Sequence, residues 1–314
     1  MGAKGSRRFL AARGLLGAAG LVAGLAGPAR AIESDAEPAI GLPNRLGLTG
    51  FQDMVDARVP GILSARAGLR YDVFVHDQEL RRGVRARRRL EQHDFVAYAG
   101  GSAFGLLDAS IRIPFVYRRD DVDLRGVTQQ LRARYDEGWG DLDVAAKVAF
   151  GLGPLTLAPY LHGRMPTGEP DVGRVARLEY GGAATFAILN QYLAVHANLV
   201  GVQIEGGRSA FRFRLGASAV VLATDVVLLR VYGYGDGIEY EGKADTDFDL
   251  DLGIQAILFR FFTVELGGTV RLVDGGHIDD TIRSDLRGSS SRISRHLDGD
   301  AWGLSLSAGV LLTF

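Results

Sequence analysis

The feature that most restricts what this chain can fold into is a period-two alternation, repeated over many segments, in which charged residues occupy every second position. Between Ile62 and Val75, Leu63, Ala65, Ala67, Leu69, Tyr71 and Val73 share one face, and Ser64, Arg66, Gly68, Arg70 and Asp72 share the other. A strand of this kind has one oily and one wet side, so it cannot be covered by apolar layers on both. The pattern returns with Ala109, Ile111, Ile113, Phe115 and Tyr117 set against Asp108, Ser110 and Arg112, and with Leu142, Val144, Ala146 and Val148 set against Asp141, Asp143, Ala145 and Lys147. Phe211, Phe213, Leu215 and Ala217 oppose Arg212, Arg214, Gly216 and Ser218; Phe248, Leu250, Leu252 and Ile254 oppose Asp247, Asp249, Asp251 and Gly253. The last segment sets Trp302, Leu304, Leu306, Ala308, Val310 and Leu312 against Gly303, Ser305, Ser307 and Gly309.

Alternation alone permits a soluble sandwich, with the charged face outward, or a membrane barrel with the sense reversed. The connections separate the two. Short ones, near Ala103 to Leu106, Gly151 to Pro154, Leu189 to Tyr192, Ala223 to Asp225 and Phe259 to Phe261, alternate with long ones: His76 to Gln92, Asp120 to Gly138, Pro166 to Val175, Gly235 to Ala244 and Asp274 to Gly299. Glu205 to Ser209 is a shorter member of the long set. That asymmetry is typical of outer-membrane barrels with periplasmic turns and external loops. The expected fold is all-β, a transmembrane antiparallel up-and-down barrel of about 12 strands, with 10 and 14 left open.

Both ends of the chain agree with export. Lys4, Arg7 and Arg8 precede an apolar run from Leu15 to Gly27, and Ala29-Arg30-Ala31 is an A-x-A cleavage pattern. Residues 1–31 are therefore expected to be a cleaved signal peptide, 32–61 a periplasmic or lumen-touching N-terminal segment with Pro38, Pro43 and Pro60, and 62–314 the barrel. Ser6-Arg7-Arg8-Phe9-Leu10 also resembles a twin-arginine signal for folded soluble cargo, but paired arginines are common in ordinary signal peptides. At the other end Phe314 closes an apolar face of Leu306, Ala308, Val310 and Leu312, the form of an assembly signal read by the barrel-assembly machinery. No later apolar stretch reaches the length of a spanning helix; the best, Leu215 to Leu229, contains Ser218, Thr224 and Asp225.

Composition narrows the chemistry. With 36 Lys and Arg against 37 Asp and Glu there is no basic field for nucleic acid, and with no Cys there is neither a disulfide nor a thiolate metal site. Folded into a barrel, the polar faces line the lumen with Arg66, Arg70, Arg112, Lys147, Arg164, Arg177, Arg212, Arg214, Arg230 and Arg271, and with Asp72, Asp108, Asp141, Asp143, Glu179, Asp247, Asp249, Asp251 and Glu265. Two readings stay open: facing walls of opposite sign that filter polar solutes in an open pore, or charges that pair across the lumen and stiffen a plugged barrel.

Other candidates are weaker. Asp245, Asp247, Asp249 and Asp251 begin like an EF-hand loop, but Leu250 stands where glycine is required and Ala256 where glutamate is required, so no metal and no cofactor are expected. A serine hydrolase would need a Ser and a His on neighbouring strands; His296 with Ser294 or Ser291 lies in a long polar loop, and His162 and His196 show no evident serine partner, so catalysis is not expected. Gly233, Gly235 and Gly237 read as strand-end or loop glycines. Arg81, Arg82, Arg85, Arg87, Arg88 and Arg89 crowd one long connection, where guanidinium groups would suit lipopolysaccharide phosphates or form a solvated charge run.

Gly140-Asp141-Leu142-Asp143, with Lys147 following, and Met165-Pro166-Thr167-Gly168 resemble the outer-membrane transporter family named after the meta-pathway of phenol degradation. The resemblance covers about the central third of the chain. It implies a barrel in the bacterial outer membrane that passes small, often hydrophobic or aromatic compounds, with no catalytic residues to carry over. The expected partners are thus outer-membrane lipid, the assembly machinery and a small solute, with a structural or adhesion barrel as the alternative to transport and an outer-leaflet enzyme as the third reading.

Overall fold

A computed structural model describes residues 44, 46, 48–80, 86–124, 134–172, 176–188, 192–205, 208–224, 226–240, 246–259, 261–273 and 299–314. The signal-peptide region, Arg81, Arg82, Arg85, Asp245, His296, Ser294 and Ser291 lie outside the described residues.

The described chain is all β. A two-residue hairpin, β1 (Gly50–Phe51) and β2 (Met54–Val55), precedes β3 (Leu63–Leu80), β4 (Ala86–Ala103), β5 (Leu107–Leu124), β6 (Arg134–Trp139), β7 (Leu142–Val148), β8 (Phe150–Leu152), β9 (Leu155–Met165) and β10 (Arg177–Ala187). It continues through β11 (Leu193–Ile204), β12 (Arg208–Ala223), β13 (Val227–Tyr240), β14 (Thr246–Leu258), β15 (Phe262–Val273) and β16 (Gly299–Thr313). Every strand after β2 pairs antiparallel with its neighbours, and β16 pairs with β3 from Gly299 opposite Gln78 to Thr313 opposite Ser64, which closes the sheet. β6, β7 and β8 are successive pieces of one wall strand, so the barrel has 12 strands. Closure leaves no edge along the ring, which lets strands sit in hydrocarbon without unpaired backbone.

The break between β6 and β7 falls opposite Pro114, which has no N–H to give to the ladder. Its carbonyl accepts the Gly140 N–H at 2.8 Å, and a Cβ on Gly140 would meet Pro114 Cγ at 2.8 Å.

Side-chain placement settles the sense of the alternation. Leu69 (68 % exposed) and Leu215 (64 %) look outward, as do Ile111, Leu252, Leu266 and Leu306, while Arg66, Arg112, Asp143 and Arg212 look inward and are buried. A water-soluble sandwich would show the opposite, so the surface is built for an apolar solvent. No helix among the described residues is long and apolar enough to cross a membrane; the apolar surface is carried by strands.

Three connections are shorter than the sequence suggests. In the first hairpin β3 runs to Leu80 and β4 begins at Ala86, placing Asp77 opposite Arg89 and Glu79 opposite Arg87 in register. Opposite charges on facing positions favour pairing, so what reads as a charged loop is mostly strand. Likewise β5 extends to Leu124 with β6 starting at Arg134, and β13 extends to Tyr240. Gly233, Gly235 and Gly237 are consequently mid-strand residues and not turn glycines. Neighbouring side chains lie over them: Phe248 over Gly235 and Phe213 over Gly237, each ring where a Cβ would be.

Because the outward face meets lipid, Leu215→Arg near the middle of β12 should lower the unfolding free energy by about 2–4 kcal/mol in vesicles. Denaturant titration in lipid vesicles checks this; no change would show that Leu215 faces water.

Candidate functional site

The lumen is filled. Asn44, Leu46 and residues 48–57 are buried within the barrel, Leu48, Val55, Ala57 and Gln52 with no exposed surface. The segment expected at the periplasmic side or touching the lumen thus has its described part inside the ring. It enters as the β1–β2 hairpin, tight because a Cβ on Gly50 would strike the Met54 carbonyl. Leu46, Leu48, Val55 and Ala57 pack against Ala145, Ala158, Tyr160, Ala183 and Val200 of the wall, where the three alanines make room for the plug.

Polar wall groups hold the hairpin backbone. Lys147 donates from Nζ to Thr49 Oγ1, to the Asp56 carbonyl and, at 2.8 Å, to the Arg58 carbonyl. Asp108 accepts the Thr49 N–H at 3.0 Å and the Thr49 hydroxyl at 2.9 Å, and its other oxygen takes Arg66 Nη2 at 2.5 Å. Glu265 Oε1 accepts the Gln52 N–H at 3.0 Å, Asn198 Oδ1 accepts the Val55 N–H at 2.7 Å, and Tyr234 Oη accepts the Asp53 N–H at 3.0 Å. Two β-residues per strand cannot satisfy their own backbone, so the wall does it.

The plug also inserts side chains. Phe51 stacks on Tyr232 with centroids 4.8 Å apart, meets His196 edge-on at 5.0 Å, and lies under the Arg230 guanidinium at 5.5 Å. Asp56 takes the Thr185 hydroxyl at 3.1 Å, Thr185 is hydrogen-bonded to His196 Nδ1 at 3.1 Å, and His196 Nε2 to Ser218 Oγ at 3.0 Å. His196 therefore does have a serine partner, which sequence reasoning missed because β11 and β12 become neighbours in this register only in the folded sheet. Ser218 and His196 are both buried, His196 directly beneath Phe51, so the chain of bonds ties plug to wall.

Beyond the hairpin the charges pair. Asp143 accepts from Arg112, from Arg164 Nε at 2.9 Å and sits 3.1 Å from His162 Nε2; Arg177 lies 2.8 Å from Glu179. Arg70 reaches Asp72 at 3.0 Å and Glu265 at 3.4 Å, Ser305 donates to Asp72 at 2.5 Å, and Thr269 donates to Asp251. Arg230 and Asp249 are buried too. Asp247 and Arg271 lie on β14 and β15, but their side chains fall outside the described residues. Of the two readings of the wall, the structure shows ion pairs around a plug. Asp236 in β13, and Asp53, Asp56 and Arg58 in the hairpin, join this network without having been singled out by sequence: Asp236 fell in a stretch read as loop, and the hairpin has no long alternation to mark it. Among the described residues no group of three or more His, Asp or Glu could hold a metal ion.

The two motifs that carried the family resemblance meet. Asp141 Oδ1 accepts the Gly168 N–H at 2.9 Å, Thr167 Oγ1 accepts the Leu142 N–H at 3.0 Å, and Glu169 exchanges bonds with Trp139. A Cβ on Gly168 would strike the backbone at Gly140 and Asp141, so this clasp requires glycine. At the other end of the barrel Phe314 is exposed, with its N–H bonded to the Leu63 carbonyl at 2.8 Å.

Among solved structures the chain is similar to the COG4313 outer membrane channel from Pseudomonas putida F1, with a TM-score of 0.55, 9% identity, and coverage of 82% of this chain and 98% of that one. The fold is that of an outer-membrane β-barrel. Lower similarity extends to the transport unit of the autotransporter AIDA-I from Escherichia coli (TM-score 0.46, 12% identity, covering 88% of this chain and 99% of that one) and to the β domain of the Bordetella autotransporter BrkA (0.42, 13%, 78% and 98%). No protein-family model and no curated protein matches the sequence.

Removing one partner of a buried charge network typically costs about 3–5 kcal/mol. Lys147→Met should therefore loosen the hairpin. The chain has no cysteine, so Met54→Cys reports cleanly: a membrane-impermeant maleimide should leave it unlabelled in the parent barrel and label it in the Lys147→Met background. Burial raises the pKa of Asp56, but Arg58, His196 and Lys147 outweigh it and hold the carboxyl well below the ordinary carboxylate range. A depressed folded-state value contributes stability above the unfolded value and loses it only as pH falls through the folded one. Labelling at position 54 in the parent should accordingly stay absent from pH 8 to about pH 5; release within that window would mean that Asp56 is not the anchor.

Proposed function

We propose that this chain is an outer-membrane conduit for small molecules that rests closed, with the N-terminal hairpin as its gate. The observation that carries this reading is the occupied lumen: a peptide hairpin bonded to the wall through Lys147, Asp108, Glu265, Asn198 and Tyr234. The polar wall is matched to a segment that is not part of the ring. Such a segment leaves a polar path behind it if it moves. A location in the bacterial outer membrane is supported by the apolar outer face and the channel-like fold.

The reading extends to the solute. The resemblance of the Gly140 and Met165 motifs to the phenol meta-pathway transporter family, and the Tyr232, His196 and Arg230 cradle around Phe51, both favour small compounds with a hydrophobic or aromatic portion. In this reading outer-membrane lipid surrounds the outward face, lipopolysaccharide meets the arginine-bearing end, and the assembly machinery reads Phe314.

Single-channel recording of the refolded chain in a planar bilayer tests the gate. The full chain should be silent or open only in brief events, and deletion of residues 44–60 should give steady conductance. A deletion variant that folds and stays silent would refute the conduit, and steady conductance of the full chain would refute the gate.

A further inference from the structure

The hairpin sets Asp53 against a part of the wall where hydrogen-bond donors are left over. Arg212 grips Asp236 with its side fork, Nε lying 2.8 Å from Oδ1 and 3.0 Å from Oδ2, and Nη2 also bonding Oδ2. The same Nη2 reaches Asp53 Oδ2 at 3.4 Å. Arg214, two residues along the same face of β12, has only what is left: its Nε lies 3.4 Å from Asp236 Oδ1, an ion pair without a hydrogen bond. Its Nε and Nη1 have no hydrogen-bond partner, although the residue is 3 % exposed. The Tyr160 hydroxyl, 4 % exposed, has none either. Arg214 and Tyr160 are electrostatically coupled across β10 and β11, whose inward residues between them include Gly181, Ala183 and Val200, with Glu179, paired to Arg177, also near Tyr160.

Two guanidinium donors and a phenol held dry without hydrogen-bond acceptors are costly, and an anion would satisfy them. We propose that Arg214 and Tyr160, with Arg212 beside them, form a lumenal binding site for a small monocarboxylate, and that Asp53 is the hairpin's own carboxylate standing at its edge. The planar fork of an arginine suits a carboxylate, and the phenol adds a third donor. Asp236, shared by both arginines, limits the charge the site accepts: a doubly charged anion beside it would be repelled. When the hairpin leaves, Asp53 leaves with it, and Arg212 and Arg214 are left with Asp236 alone at the moment a solute carboxylate can enter.

This deepens the proposed function, since it names the solute's charged group, but binding can be read without transport. Isothermal titration of the refolded full chain with propionate is the measurement, with inorganic phosphate and chloride as comparison anions. Asp53→Asn keeps the hairpin's shape while removing the resident charge, and should bind propionate more tightly than the parent. In that background Arg214→Gln and Tyr160→Phe should each weaken binding, Arg214→Gln by about tenfold or more, and Arg214→Lys should restore part of it. Absence of saturable propionate binding in a folded Asp53→Asn chain would overturn the site, and so would undiminished binding after Arg214→Gln. Phosphate binding as tightly as propionate would overturn the monocarboxylate assignment. Should Asp53→Asn not fold, the chain lacking residues 44–60 gives a second test: its anion preference, read as the reversal potential in a salt gradient, should fall with Arg214→Gln, and no change would likewise overturn the site. Conductance of that shortened chain bears only on the gate, so the two readings fail separately.

Discussion

One buried ammonium organises the interior. Lys147 has almost no exposed surface, and its three donors are directed at Thr49, the Asp56 carbonyl and the Arg58 carbonyl, with Asp108 at 3.5 Å as counter-ion. A charge in that position cannot be left without acceptors, and no wall strand supplies enough of them. The peptide of the hairpin does. Asp108 in turn is shared between Lys147, Arg66 and Thr49, so the same carboxylate orients the β3 side of the wall and the start of the hairpin. The closed lumen is thus a consequence of how the wall's charges find partners as much as of how the apolar plug residues find a core.

That arrangement rests on the inverted pattern of the strands. With lipid outside, apolar burial does not drive the wall together as it would in water, and the closed backbone ladder carries the ring. What the hydrophobic effect does supply is the seating of Phe51, Leu48, Met54 and Val55 in a lumen otherwise lined by ion pairs. Small wall residues at Ala145, Ala158 and Ala183 are the counterpart of those large plug residues, and the aromatic pair Tyr232 and Tyr234 closes the other side.

Much of this was legible in the chain and some was not, for identifiable reasons. Alternation with a charge at each second residue gave the strands and their wet face, and the short turns gave the antiparallel order. Period-two reasoning breaks down at long polar hairpins: Asp77, Glu79, Arg87 and Arg89 look like loop residues until their register as facing opposites is known. It also breaks down at Gly233 to Gly237, where glycine serves the rings of Phe213 and Phe248 on neighbouring strands and not a turn. Arginine and aspartate on the wet face could be named from sequence, but their pairing could not, because Arg112 with Asp143 and Arg212 with Asp236 depend on the stagger between strands. The hairpin was the least legible part. Its wall contacts are all to residues distant in sequence, from Asp108, 59 positions from Thr49, to Glu265, 213 positions from Gln52.

In the proposed gate, the energetics of opening follow from what the hairpin gives up. Backbone N–H groups bonded to Glu265, Asn198 and Tyr234 exchange those partners for water at small net cost, on the order of 1 kcal/mol each. Withdrawing Phe51, Leu48 and Met54 from contact costs about 1.5–3 kcal/mol for each side chain. The apolar anchors therefore set the bias toward the closed state, and the polar contacts set its register. A solute shifts that balance only by binding the vacated wall better than the plugged one. The cradle of Tyr232, His196 and Arg230 is covered by Phe51 in the closed state, so occupancy of that surface by a ring is such a differential contact. A solute held only by groups that stay accessible beside the seated hairpin would bind both states alike and open nothing.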